Sequence, residues 1–191
     1  MSFLQYLKQA AERTLEAFPE DLRSEIYVVS FRIWRTDGDA RCPYVAIGYN
    51  TESQYRQELN SEPGRHLEEA RWNYAYWLLE GFGTLGNTPD DPTGAQLYVD
   101  EVKGLGLWYD DAAEISESEQ EGLDEQLAQH FADVCVDTAR HLHSSGCLKH
   151  VMGRRVPIVI FDMDCPGWEV GTTEAANPPE AVADFLAYFR A

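Results

Sequence analysis

Between Lys103 and Arg140 the sequence contains no lysine and no arginine, although Asp110, Asp111, Glu114, Glu117, Glu119, Glu121, Asp124, Glu125, Asp133 and Asp137 all fall there. The 191-residue chain as a whole carries a formal net charge of -18. A field of one sign repels phosphate backbones and anionic lipid and attracts cations. Nucleic acid and membrane surfaces are therefore not expected as partners, and a basic protein is. No run of about eighteen apolar residues occurs, which argues against a membrane-spanning helix. Residues Met1 to Gln5 lack a basic leader ahead of an apolar stretch, so no secretory signal is expected and a cytoplasmic location is. The cysteines Cys42, Cys135, Cys147 and Cys165 form no C-x-x-C pair, so reduced thiols are expected and no disulfide framework. G-x-S-x-G, H-E-x-x-H and a Gly-rich phosphate loop with its lysine are also absent. No motif thus names a reaction or calls for a cofactor.

What is present is globular. Hydrophobic residues make up 44% and aromatics 12% of a 21.7 kDa chain. A chain of that size buries roughly 70% of its unfolded surface in one domain. Residues 3 to 18 place Phe3, Leu7, Ala10, Ala11 and Leu15 at helical spacing, with Pro19 as the stop. The β-branched and aromatic runs 26–34 and 44–49 flank Asp37-Gly38-Asp39 and predict a β-hairpin. Thr51 with Gln54 three residues on predicts a capped short helix through Leu59. After Pro63-Gly64 an aromatic helix is expected over His66 to Leu79, nearly buried and packing as core. Gly81 to Gly94 carries turn punctuation throughout and predicts a loop, followed by a helix from about Ala95 to Lys103. Ser116 or Ser118 caps the longest helix, which runs to about Ser144 with acids in its first turns, where the helix dipole favours them. The apolar run 156–161 predicts a central strand covered on both faces, and Pro178-Pro179 starts a closing helix. The expected fold is a single α+β domain over residues 1–191, with a small, mostly antiparallel sheet flanked by several helices.

Three groups of residues could carry chemistry. His141, His143, Cys147 and His150, with Cys135 earlier on the same helix, have the residue types of a zinc site but not its spacing. Residues two apart on a helix project to different sides, so no metal is assigned. Cys147 with His150 is also the one sequence-local pair suited to thiol nucleophile chemistry. Asp162 and Asp164 leave the apolar strand at its C-terminal end, where carboxylates can serve as acid and base or hold a divalent cation. With Cys165 or Glu169 they define the alternative reading, an enzyme. The third group is the acidic stretch itself. Trp108 and Tyr109 immediately precede Asp110 and Asp111, which sets aromatic anchors beside charge as interface hot spots do. The expected partner-binding set is Trp108, Tyr109, Asp110, Asp111, Glu114, Glu117, Glu119, Glu121 and Asp124.

Residues 26–36, the run Tyr44 to Glu52, Glu69 to Trp77, Leu105 to Tyr109 and Ala176-Asn177-Pro178 together resemble a bacterial family of uncharacterised proteins known as a domain of unknown function. Some of its members are encoded beside polymorphic toxins as immunity proteins. The resemblance implies an α+β domain and toxin neutralisation, and it supplies no catalytic residues. With the charge it makes the expected function an acidic, cytoplasmic protein-binding module, an immunity-type inhibitor of a basic toxin or effector.

Overall fold

Strand β1 (Ile26–Arg35) lies inside the sheet because both of its faces and both of its edges find partners. It pairs antiparallel with β2 (Pro43–Thr51) as the hairpin pattern predicts, and parallel with β4 (Ile158–Asp162). β2 pairs antiparallel with β3 (Gly83–Gly86), which gives the order β3-β2-β1-β4. The computed structural model describes residues 1–61, 66–78, 83–112 and 114–190. Among these, eight α-helices surround the one sheet. The fold is α+β, a single domain with a mostly antiparallel sheet.

Alternation along β1 sends Val29, Phe31 and Ile33 to one face, where they meet Leu7 and Leu15 of α1 (Phe3–Glu16), Tyr98 of α4 (Pro92–Gly104) and Phe131 of α5 (Glu117–Ser144). Val28 faces the other side and packs with Trp72 of α3 (Leu67–Trp72) and Phe185 of α8 (Pro179–Phe189). Each such fully buried side chain contributes about 1.5–3 kcal/mol of transfer free energy. The period of two thus builds a core on both faces of the sheet. α2 (Glu52–Ser61) begins where predicted, with Thr51 Oγ1 accepting the Gln54 N–H at 3.2 Å. α5 is closed at its start by a capping box between Ser116 and Glu119 and extends about 42 Å at 1.5 Å per residue. It runs from the end of the sheet where β1 finishes to the end where β4 begins.

Three expectations are corrected. The helix over 66–79 stops at Trp72: Asn73 is extended, and its Oδ1 accepts the Ala75 N–H to open a single 3₁₀ turn, Tyr74–Tyr76. An Asn side chain that offers the backbone this alternative ends a helix. Trp72 and Trp77 are core, as their aromatic character implies, but Leu67 is 57% exposed. The stretch predicted as a loop contains β3. Its glycines serve close approach, since a Cβ on Gly83 would lie 2.6 Å from Thr14 Oγ1 of α1. The loop ends at Asp91, which caps α4 by accepting the Gly94 N–H at 3.0 Å and also accepts the Gly86 N–H at 2.9 Å and the Tyr6 hydroxyl. Pro63-Gly64, Leu79 and Gly81 lie outside the described residues.

The third correction concerns β4, which is an edge strand and not a central one. Its sequence reads as central because both of its faces are buried as expected, Ile158 and Ile160 in one core and Val159 and Phe161 in the other, and its outer edge is covered as well. Asn177, just past α7 (Glu169–Ala176), accepts the Ile158 N–H through Oδ1 at 2.8 Å and donates to the Ile158 carbonyl through Nδ2 at 2.7 Å. Thr173 Oγ1 accepts the Ile160 N–H at 3.0 Å. One primary amide here stands in for the peptide group of a missing fifth strand, which leaves the edge satisfied and closed to further pairing.

Candidate functional site

After α4, Gly106 turns the chain at φ +72, and Trp108 and Tyr109 then lie half-buried against the main core. They are not free anchors projecting to solvent, and what holds them is Arg41, from the connection between β1 and β2. Its guanidinium lies 4.6 Å from the Tyr109 ring centroid and 5.8 Å from that of Trp108. Nη1 donates to the Tyr109 carbonyl at 3.0 Å, and Nη2 meets Asp39 at 2.7 Å and Asp111 at 2.6 Å. Lys103 Nζ stands 5.1 Å from the Trp108 ring. Cations over aromatic faces are attracted by the ring quadrupole. Hydrogen bonding to Asp39 holds the Arg41 guanidinium above its ordinary pKa against the effect of burial, and the same contact holds the Asp39 carboxyl below the usual carboxylate range.

The structure thus gathers five of the expected residues around one base. The Trp108 Nε1–H donates to Asp110 Oδ1 at 3.0 Å, and the Tyr109 hydroxyl donates to Asp124 Oδ1 at 2.6 Å. Burial and this bond to Asp124 push the Tyr109 hydroxyl pKa up to about 12. Glu114, Glu117, Glu119 and Glu121 are exposed outside that cluster. The Glu119 carboxylate accepts the Ser116 backbone N–H at 2.9 Å, which lowers its pKa, so this acid serves the helix start. Glu114, Glu117 and Glu121 make no ion pair among the described residues. Arg41 and Asp39 were invisible to sequence reasoning, because Arg41 is 68 positions from Tyr109 and no spacing rule reaches that far.

Asp162 and Asp164 do come together, but around Arg35. Arg35 donates bidentately to Asp162, Nη1 to Oδ1 at 2.7 Å and Nη2 to Oδ2 at 2.9 Å, and Nη1 also reaches Asp164 Oδ2 at 3.0 Å. The side chains of Arg35 and Asp162 are 5% and 2% exposed. The backbone N–H groups of Asp164 and Cys165 also donate to Asp162 Oδ1, both at 3.0 Å. Four donors on a group with about four acceptor sites leave none free to meet a substrate. Although burial opposes its charge, the Arg35 guanidinium is held above its ordinary value by Asp162 and Asp164.

The histidine and cysteine group is dispersed. His141 Nε2 lies 2.9 Å from Glu12 Oε1, His143 Nε2 lies 2.8 Å from Asn177 Oδ1, and His150 is exposed. Burial first, then Glu12 and Glu16, push the Cys147 thiol up to about 11, far from a reactive thiolate. Burial raises the thiol pKa of fully enclosed Cys135 as well. Among the described residues no three His, Cys, Asp or Glu side chains are grouped as metal ligands. No described helix is long and apolar enough to cross a membrane. No family model, no curated protein and no solved structure matches this chain.

Proposed function

We propose that this chain is a binding protein for a basic protein partner, an inhibitor of the immunity type that covers a cationic toxin surface with the acidic face at the start of α5. The observation that supports it is the fate of the nearby bases. Arg41 lies against the rings of Trp108 and Tyr109 and Lys103 stands over Trp108, and among the described residues the exposed carboxylates of Asp110, Glu114, Glu117 and Glu121 make no ion pair. Trp108 and Tyr109 act here as a rigid base under the charge, and the charge itself meets the partner. Complementary charge of this kind raises the association rate and fades as salt rises.

The test keeps Asp124 and Glu119 intact, because they hold Tyr109 and the helix start. Glu114, Glu117 and Glu121 are replaced together by lysine, and wild type and variant are used to capture protein from extracts of the source cells at low and high salt. A basic protein is retained by wild type at low salt, is released as salt rises, and binds the variant at least ~10-fold more weakly when purified and titrated, as loss of several complementary charges requires. Equal affinity for the two proteins overturns the reading.

A further inference from the structure

Beyond the acidic face, α5 shares a groove of about 590 Å³ with α7. Arg140 Nε donates to the Ala175 carbonyl at 2.7 Å and His143 Nε2 meets Asn177 Oδ1 at 2.8 Å, so the two helices run in the same direction. Gly167 and Trp168, ahead of α7, therefore stand at the end of the groove nearer the start of α5. Gln129, Asp133 and Asp137 belong to the α5 wall, and Gly171 to the α7 wall. Ligand pockets run to about 300–1,000 Å³, which gives this one room for a side chain and the backbone that bears it.

Gly171 is a position that packing within the chain does not explain. A glycine inside a helix costs stability relative to alanine, and close approach of another group is what commonly requires it. A Cβ on Gly171 would meet nothing within 4 Å among the described residues, in contrast to Gly83, where Thr14 stands in the way. The missing side chain keeps the groove open and contributes nothing to the core.

Charge selects what the open groove takes. Asp133 is exposed and makes no ion pair among the described residues; Gln129 Nε2 donates to its Oδ1 at 2.9 Å, and no described group bonds its Oδ2. Arg140, the base among the described lining residues, lies at the far end, held by the Ala175 carbonyl and by Asp137 at 3.3 Å. Two carboxylates against one guanidinium leave the lining negative, and the half-buried ring of Trp168 adds an aromatic face, which attracts cations. Glu117, Glu121 and Glu125 are exposed at successive four-residue steps, and the same steps lead through Gln129 to Asp133. Residues so spaced are neighbours on a helix surface, so one row joins the acidic face to the groove.

We infer that the groove between α5 and α7 is a docking site for a basic segment of the partner protein, one cationic side chain of which lies against Trp168 and Asp133 in the space above Gly171. This rests on the reading of the chain as a binder of basic protein. The test needs no partner. The ¹⁵N-labelled protein is titrated at low salt with a capped peptide of alternating alanine and lysine, and with its counterpart in which every lysine is acetylated. Saturable shifts of the Trp168 indole N–H and of the Asp133 and Gly171 amides, given by the lysine peptide and not by the acetylated one, support the groove. Gly171→Leu fills it: the melting temperature is unchanged or raised, since a helix favours leucine over glycine and the new Cβ has space. The groove response of that variant weakens at least ~10-fold, because the entering side chain meets one already there. Asp133→Asn weakens the response about 5-fold, as loss of one charge contact requires, and leaves shifts among residues 110–121 in place. No response to the lysine peptide, an equal response to the acetylated one, or an undiminished response in Gly171→Leu overturns the inference. Shifts limited to residues 110–121 overturn the groove and leave the acidic-face reading standing.

Discussion

The two ends of α5 are opposites. Its first half lies in a segment with ten acids and no base, whereas between Asp137 and Asp162 there is no acid, only Arg140, Lys149, Arg154 and Arg155. At the acid end bases are engaged by the fold: Arg35 by Asp162, Arg41 by aromatic rings, and exposed Lys103 by the Trp108 ring. At the other end Arg154 is used on neutral groups, the carbonyls of Ser24 at 2.8 Å and Ile26 at 2.6 Å, and the strand edge is closed by the Asn177 amide. At one end the most enclosed base is engaged by a carboxylate; at the other the Arg154 guanidinium and the Asn177 amide bond backbone groups, and the ion pair Arg155–Glu180 lies at the surface. The difference teaches why the surface is so one-signed: bases that would have neutralised it are structural.

The largest effect breaks the charged end. Arg35→Met leaves Asp162 buried without its counter-ion, and removing one partner of a buried pair costs about 3–5 kcal/mol. For a chain of this size that lowers the melting temperature by roughly 10 °C, at 2–4 °C per kcal/mol. Adding Asp162→Asn in the same chain recovers part of the loss, because the stranded charge is gone while an acceptor for the Asp164 and Cys165 N–H groups remains. Thermal melts of the three variants check this; a double variant no better than the single one would show that the pair is not what Arg35 supplies.

Next in size is Asn177→Ala at the neutral end. It strands the N–H and carbonyl of Ile158, a residue with no exposed surface, and each such group costs about 1–3 kcal/mol. The expected loss is about 2–4 kcal/mol. Asn177→Asp does not rescue it, since an acid oxygen then faces the carbonyls of Ile158 and Thr173, to which Nδ2 donates at 2.7 Å in both cases. Melting curves measure the loss, and capture of the basic partner by whatever fraction stays folded remains unchanged.

What the sequence disclosed and what it hid follow the same division. Local features were legible: the hairpin around Asp37-Gly38, the Ser116 capping box and the opening helix all rest on spacings of a few residues. β4 was mistaken for a central strand because burial of both its faces makes its run apolar throughout, whereas its outer edge is closed by Asn177 from 19 positions away, and an amide imitating a strand leaves no periodic trace. Of the candidate site, the run of acids was legible as composition. Its scaffold was not, because Arg41 meets Tyr109, and Arg35 meets Asp162, only through the folded sheet. The groove beside Trp168 was equally hidden, for its two walls, from α5 and α7, are set side by side only by the fold.

The smallest effect separates the two ends by pH. The His143 imidazole is half-buried between α5 and Asn177, with Arg155 and Glu180 also close. Asn177 Nδ2 is the donor to two carbonyls, so Oδ1 is the acceptor and the Nε2 of His143 carries the hydrogen. Its buried Nδ1 has no partner, so protonation there would bury an unpaired donor. Burial accordingly holds the His143 pKa below its ordinary value of about 6.5, with Arg155 acting in the same direction and the Asn177 bond and Glu180 against it. The unfolded chain therefore binds the extra proton first, and stability falls as pH drops below about 6.5, levelling once the folded-state pKa is passed. Melting temperatures between about pH 5.5 and 8, above the range where ordinary carboxylates titrate, should be flat at the top and decline by a few degrees toward the bottom. His143→Leu removes that decline, whereas lysine substitution of Glu114, Glu117 and Glu121 at the acid end leaves it in place. A decline that persists in His143→Leu would assign it to another group and dissolve the contrast between a neutral end sensitive to a single imidazole and a charged end indifferent to it.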